Sequence, residues 1–424
     1  MRSTLFFIPH SIGPLPIFGW GWAVLALVIA WLCSRVWLLR DRPADRSVFE
    51  AFTASLLGWF VAAAVVVWIV PLLETHIPLG DGRQVAAGLP IRGYGVMLLL
   101  AVLAATLWTY RRGRRFGLDA DHLLSLATWG MVGGIGGARI FYVVQKWDEL
   151  RGEGLPGKLI EALRFTEGGL VVYGGVIGGL AATLAWCIAR RWSFLLLADL
   201  VTPPFLVGLA IGRVGCLLNG CCFGGVCEVP LPAISFPNGS PPFYDQLQSG
   251  KLLGVRFTAS DTVPNGGRRV AAVQPGGWAD RHDVVEGSQV WFSERFDEEH
   301  LARPPTIYAV VKSPGATERG VPLPTASIDV HPAQIYATID ALILAGLLAT
   351  LAVDLRRRGR VFGWGLLLYG ISRFLEEYVR VDELGQFGTT LSIGQWVSIG
   401  VVLSGVCLLL SVGWLAKRKP EFQR

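Results

Sequence analysis

Charge is scarce in this sequence: only 17% of its 424 residues are Asp, Glu, Lys or Arg, against 52% hydrophobic residues. That balance excludes an ordinary soluble globular protein and places the chain in the membrane class. A cleavable export signal is also missing. The first apolar run follows a poorly basic N-terminus and continues to span length, so a retained helix is expected. No glycine-rich run has the strand-turn-helix setting of a nucleotide fingerprint, and no C-x₂-C pair marks a zinc site. The paired broken helices in two repeated halves that many transporters show are absent too. The net charge of +6 does not signal nucleic acid, because the arginines gather in short loops between apolar runs, where they orient a chain in the bilayer.

What is present is a series of nine stretches with the roughly 20 apolar residues that crossing a bilayer requires. They run from Ile17 to Cys33, Phe52 to Leu73, Gly93 to Tyr110, Leu123 to Val144, Gly168 to Ala189, Phe194 to Leu218, Ala333 to Val353, Val361 to Val379 and Leu391 to Leu415. Basic clusters fall on alternate loops: Arg35 to Arg46, Arg111 to Arg115, Arg190 and Arg191, Arg356 to Arg360, and Lys417 to Lys419. By the positive-inside rule the pattern predicts an all-α polytopic membrane protein of about nine transmembrane helices, N-terminus outside and C-terminus in the cytoplasm.

Residues 226–330 interrupt this pattern. They hold no spanning run, are rich in Pro, Gly and charge, and carry β-type runs at Arg269 to Val273, Gln289 to Phe292 and Ile307 to Lys312. A small β-rich insert on the outer face is expected. Within it, Asn265 to Phe292 reads as strand, Pro-Gly turn, short helix and turn, which suits either a PDZ-like module or an unrelated small β domain. A PDZ-like module would bind an extended peptide by strand addition. A short repeat, LPIFGWG at Leu15 and LPIRGYG at Leu89, marks either an added hairpin or a chance match of apolar strings. The expected organisation is therefore an extra hairpin at 1–90, a first core segment at 91–225, the insert at 226–330 and a second core segment at 331–424.

The orientation brings the polar groups of several spans to one depth. Tyr94 opens the third span, Arg139 lies near the outer end of the fourth, and Tyr173 near the outer start of the fifth. Arg213 and Asn219 lie near the outer end of the sixth, His331 and Gln334 before the seventh, and Arg373, Glu377 and Arg380 at the outer end of the eighth. One arginine at a helix end ordinarily snorkels to the interface. Polar groups from several spans, arginines among them, at one leaflet point instead to a shared anion, since a cation at hydrocarbon depth needs a partner. Arg373 and Glu377 are spaced i, i+4 and can pair on one helix face. A guanidinium cluster suits the phosphate of a phospholipid. The runs GGIGGAR and GGLVVYGGVIGG serve close helix packing or open a slot for a lipid.

The central motif is GRVGCLLNGCCFGG, Gly212 to Gly225. Its cysteines, with Cys227, read as small buried residues, as a disulfide facing an oxidising side, as a metal site or as a nucleophile. The spacing argues against metal, and neither a metal nor a cofactor is expected.

RGYG (Arg92–Gly95), GGAR ending at Arg139, GGLVVYGGVIGG, the central motif, HPAQIY (His331–Tyr336), RFLEEYVR (Arg373–Arg380) and SIGQ (Ser392–Gln395) together resemble the prolipoprotein diacylglyceryl transferases. The resemblance implies a bacterial inner-membrane enzyme with its site toward the periplasm. Its substrates would be phosphatidylglycerol and the lipobox cysteine of a prolipoprotein signal peptide, with glycerol phosphate released. It implies that Arg213 and Arg373 hold the phosphate and that Glu377 orients Arg373. Tyr94 would act with them, and Arg139, Asn219, Gly224, Tyr173, His331 and Arg380 would contact substrate. A non-catalytic lipid- or lipoprotein-binding relative is the alternative. The chain departs from the family where Cys216 replaces an asparagine, Cys221 a glutamate and Tyr173 a histidine, and Ala337 stands where an acidic residue is usual. No general base can therefore be carried over.

Overall fold

The computed structural model describes residues 4–40, 58–78, 84–147, 150, 154–163, 171–227, 232–263, 266–295, 306–353, 358–380, 386 and 388–418. Helices occupy the apolar runs: α1 (Trp22–Arg40), α2 (Gly93–Gly113), α3 (Ala120–Gln145), a short α4 (Gly154–Leu163), α5 (Val172–Ala189) and α6 (Phe194–Asn219). After two short helices, α7 (Pro241–Gln248) and α8 (Trp278–Arg281), come α9 (Ala333–Leu351), α10 (Arg360–Glu376) and α11 (Ile393–Arg418). Residues 58–73 are also helical, widening to a π-turn at Val65–Ile69 and tightening at Val70–Leu73. Four helical stretches among the described residues are long and apolar enough to cross a membrane: Gly93–Phe116, Phe194–Asn219, Ala333–Leu351 and Ile393–Trp414. The protein is thus mostly helical, with membrane-type helices and some β-sheet. The first helix starts five residues later than its apolar run, because Leu15–Pro16 pairs as a strand and the chain bends before Trp22. The expected starts at Phe52 and Gly168 lie outside the described residues.

The chain forms two compact units. One comprises Met1–Val96 with Gly215–Pro332, the other Met97–Val214 with Ala333–Arg424. In the first, strands β1 (Thr4–Ile8), β4 (Thr75–Pro78) and β5 (Gln84–Arg92) form an antiparallel sheet in the order β1-β5-β4, and β2 (Ser11–Ile12) pairs with β3 (Leu15–Pro16). The LPI segment of the second repeat lies in β5, where Leu89 and Pro90 stand opposite Ile8 and Phe7. The same unit holds a five-stranded antiparallel sheet, β10-β9-β8-β7-β6, made from Val255–Val263, Gly267–Val273, Gln289–Arg295, Thr306–Lys312 and Arg319–Pro322. Successive side chains of a strand point to opposite faces, and in β9 Ile307, Ala309 and Val311 are the buried set. With Phe243, Leu247, Leu253, Val270, Trp278 and Val290 they form a continuous core confined to residues 243–323. The chain enters and leaves this sheet as a pinned pair of strands. Cys227 N–H donates to Asp329 O (2.9 Å) and Asn238 N–H to Thr325 O (2.9 Å), and Val226 bridges Val330.

In the second unit α3 and α5 meet along glycines. A methyl group on Gly178 would stand 2.2 Å from Gly133 O and 2.8 Å from Gly137 Cα, so only glycine permits this approach. The start of α10 is capped from a distance. Asp199 on α6, fully buried, accepts from Gly359 N–H (2.6 Å) and Phe362 N–H (2.7 Å), satisfying donors that a helix start leaves open. Arg112 at the end of α2 lies within electrostatic reach of Asp199 and donates to Ala352 O (3.0 Å).

Candidate active site

Arg373 sits in the last turn of α10 and hydrogen-bonds as an ion pair to Glu377, one turn further on. Both are withdrawn from solvent, with side chains 16% and 4% exposed. A carboxylate so deeply buried needs its remaining oxygen satisfied, and Ser392 Oγ donates to Glu377 Oε1 (2.8 Å). Ser392 is in turn fixed by a reciprocal cap at the start of α11. Its N–H donates to Gln395 Oε1 (3.0 Å), and Gln395 N–H donates to Ser392 Oγ (3.2 Å). The SIGQ motif therefore both starts a helix and anchors the acid that aims Arg373. Its glycine belongs to the same device: a methyl group on Gly394 would come 3.0 Å from Glu377 Oε1 and 3.3 Å from Arg373 Nη2.

Arg213 joins this group. Glu376 lies in the combined field of Arg213, Asp340, Arg373 and Arg380, and the Tyr369 hydroxyl feels Arg213 and Arg373 as well. Three arginines from two distant stretches thus share one electrostatic neighbourhood. Arg213 is half-buried and has no hydrogen-bond or ion-pair partner among the described residues. Asp340, Tyr369 and Glu376 escaped the sequence reading. Glu376 had a signal, since it also falls one turn from Arg380 on the same face. Asp340 had one as well, a carboxylate inside the seventh apolar run, although its partners are contributed by other helices.

Arg139 on α3 donates from Nε to Ala162 O at the end of α4 (2.7 Å), and its guanidinium lies 5.1 Å from the Tyr142 ring centre. An arginine against the last carbonyls of a helix meets the negative end of its dipole. Tyr173 lies at the start of α5, where Val171 N–H donates to Ala138 O (3.2 Å), and is 38% exposed.

The other unit holds the remaining expected residues. Tyr94 opens α2 and is 40% exposed. Gly224 N–H donates to His331 O (3.0 Å) and His331 N–H to Gly225 O (2.9 Å), so the backbones of both continue the paired segments that lead to the five-stranded sheet. Asn219 ends α6, and its side chain hydrogen-bonds the Cys221 thiol. The Cys221 Sγ also donates to Cys216 O (3.8 Å). The Sγ atoms of Cys216, Cys221 and Cys222 all lie within 4.8 Å of one another. A search for C-x₂-C spacing does not see this cluster, which a turn rather than a knuckle assembles.

Residues 84–411 match the family described as prolipoprotein diacylglyceryl transferase. Among curated relatives, the phosphatidylglycerol–prolipoprotein diacylglyceryl transferase of Rhodopirellula baltica is 37% identical over 451 aligned residues, covering 98% of this chain and 89% of the relative. Proteins of the same name from Clostridium tetani and Bifidobacterium adolescentis are each 25% identical, covering 75% and 81% of this chain and 92% and 81% of their own. The Rhodopirellula match takes in both the first ninety residues and the insert.

Proposed function

We propose, since this chain belongs to the prolipoprotein diacylglyceryl transferase family, that it moves the diacylglyceryl group of phosphatidylglycerol onto the lipobox cysteine of prolipoprotein signal peptides, the first step of bacterial lipoprotein maturation. In this transfer the acceptor sulfur forms a thioether with the glycerol carbon. The carbon–oxygen bond to phosphate breaks, and glycerol phosphate leaves with the electron pair. A phosphodiester with one charge becomes a monoester approaching two, so the catalyst must stabilise about one new negative charge on phosphate oxygens.

Arg213 and Arg373 suit that task. Arg373 is held by Glu377, which Ser392 holds in turn, so its fork is oriented before substrate arrives. Arg213, half-buried with no hydrogen-bond partner among the described residues, has its donors for the phosphate. That guanidinium beside the braced Arg373–Glu377 pair is the observation that carries the reading. Tyr94 is assigned a part in the same chemistry, and Arg139, Asn219, Gly224, Tyr173, His331 and Arg380 are assigned to substrate contacts on the family resemblance. The chain crosses the bacterial inner membrane nine times with its N-terminus outside. The site faces the periplasm, and residues 226–330 are a periplasmic domain inserted between two core segments. The alternating basic loops support that arrangement.

The test incubates the purified protein with phosphatidylglycerol labelled in its acyl chains and a lipobox peptide. Label on the peptide thiol is expected, together with a hundred- to thousandfold loss in Arg213→Ala, about what removing one transition-state donor costs. A folded protein that transfers no label would sink the enzyme reading in favour of a lipid-binding relative.

A further inference from the structure

The loop that ends α6 builds a second constellation. Gly220 N–H donates to Leu217 O (3.2 Å) and Cys221 N–H to Cys216 O (3.1 Å), with Gly220 at φ 76°: the two bonds and left-handed residue of a Schellman turn. That turn folds the second residue beyond the helix cap back over the helix's last turn. Here those two positions are Cys221 and Cys216, so a five-residue spacing becomes a side-by-side pair. Cys222 is itself left-handed at φ 59°, a conformation that non-glycine residues seldom adopt. The outcome is three half-buried thiols with all Sγ atoms within 4.8 Å of one another.

Three sulfurs around a tetrahedral zinc stand about 3.8 Å apart at a Zn–S length of about 2.3 Å, so closing this triangle takes no pair more than about 1 Å. We propose that Cys216, Cys221 and Cys222 are the ligands of a zinc ion whose fourth position takes the acceptor cysteine. Thiolates select zinc and copper(I) over magnesium, calcium or manganese. Three protein ligands with one position open is the pattern of a catalytic rather than a structural zinc site. The Asn219 side chain on Cys221 is the kind of outer partner that orients a ligand.

The second half of the proposal rests on the transferase reading and answers the question that reading leaves open, namely what removes the thiol proton. A coordinated thiol is deprotonated by the metal, and its proton passes to water. The metal-held sulfur then attacks the glycerol carbon, glycerol phosphate departs with the bonding electrons, and the thioether, a weak ligand, is released.

The full-length protein, purified in detergent with its thiols reduced, is titrated anaerobically with cobalt(II) alone and then with zinc(II). One equivalent of cobalt is expected to give thiolate charge-transfer absorption and intense tetrahedral visible bands, both bleached by zinc. Cys216→Ser or Cys222→Ser weakens binding by about tenfold or more, whereas Cys227→Ser leaves it unchanged. Adding a lipobox peptide shifts the visible bands, and the same peptide with serine for cysteine does not. Folded protein without the cobalt spectrum, a spectrum indifferent to the three cysteines, or a Cys216–Cys221 or Cys216–Cys222 disulfide in protein isolated without reductant overturns the site. A normal spectrum in protein that transfers no lipid refutes the transferase reading and leaves the metal site standing. Full transfer by a zinc-free triple serine variant refutes the role of zinc in the chemistry.

Discussion

Replacing Glu377 asks whether Arg373 must be held in place to work. The carboxylate is 4% exposed and is bonded by Arg373 and Ser392. Glu377→Ala strands a guanidinium that is itself only 16% exposed. Removing one partner of a buried pair costs about 3–5 kcal/mol. If that cost falls on the oriented arginine, transfer drops by roughly two to four orders of magnitude. Glu377→Gln keeps the length and an acceptor but loses the charge. A hydrogen bond to a charged group is worth about twice a neutral one, so the loss is about 1–1.5 kcal/mol and transfer falls about tenfold. Ser392→Ala removes one bond to Glu377 and the cap of α11. It should cost about 1 kcal/mol of stability with a similar, modest effect on rate. The assay is the initial rate of label transfer to lipobox peptide in detergent, run beside thermal melts by tryptophan fluorescence so that unfolded protein is not counted as inactive. A folded Glu377→Ala protein as fast as the native one, or Gln as damaging as Ala, would refute the argument.

Gly178→Ala should push α3 and α5 apart at the cost of about 1–3 kcal/mol, lowering Tm in detergent; an unchanged melt would mean the helices do not approach as closely as Gly133 and Gly137 indicate. Asp199→Ala should destabilise by about 2 kcal/mol while Asp199→Asn, which still accepts at the start of α10, costs much less; equal melts would deny the distant cap. Replacing residues 239–324 with a short Gly-Ser linker should leave a chain that still inserts and purifies as a single species, because Asn238 and Thr325 are already hydrogen-bonded. Aggregation of that trimmed chain would show that the insert supports the remainder.

The sequence made legible whatever depends on composition within a window. Arg213, Arg373 and Glu377 stand out because charges are costly in apolar runs, and their i, i+4 spacing announces a pair. Strands β7, β8 and β9 follow from their β-type runs. Hidden were the features that join distant residues: Asp199 to Gly359, Asp340 to the Glu376 neighbourhood, and the sheet of β1, β4 and β5, of which β1 and β4 have only five and four residues. The cysteine cluster was hidden for another reason. Its spacing has meaning only once α6 is known to stop at Asn219, where the turn brings three sulfurs together.

Asp199 has a consequence for how the chain is made. The N–H groups it caps lie 160 residues downstream, beyond the whole insert. At a synthesis rate of about 5–20 residues per second, it must wait on the order of ten seconds for them. A buried carboxylate without its donors is costly for that time. Arg112, emerging earlier from the ribosome and lying within electrostatic reach of Asp199, offsets part of that cost until the start of α10 supplies its donors.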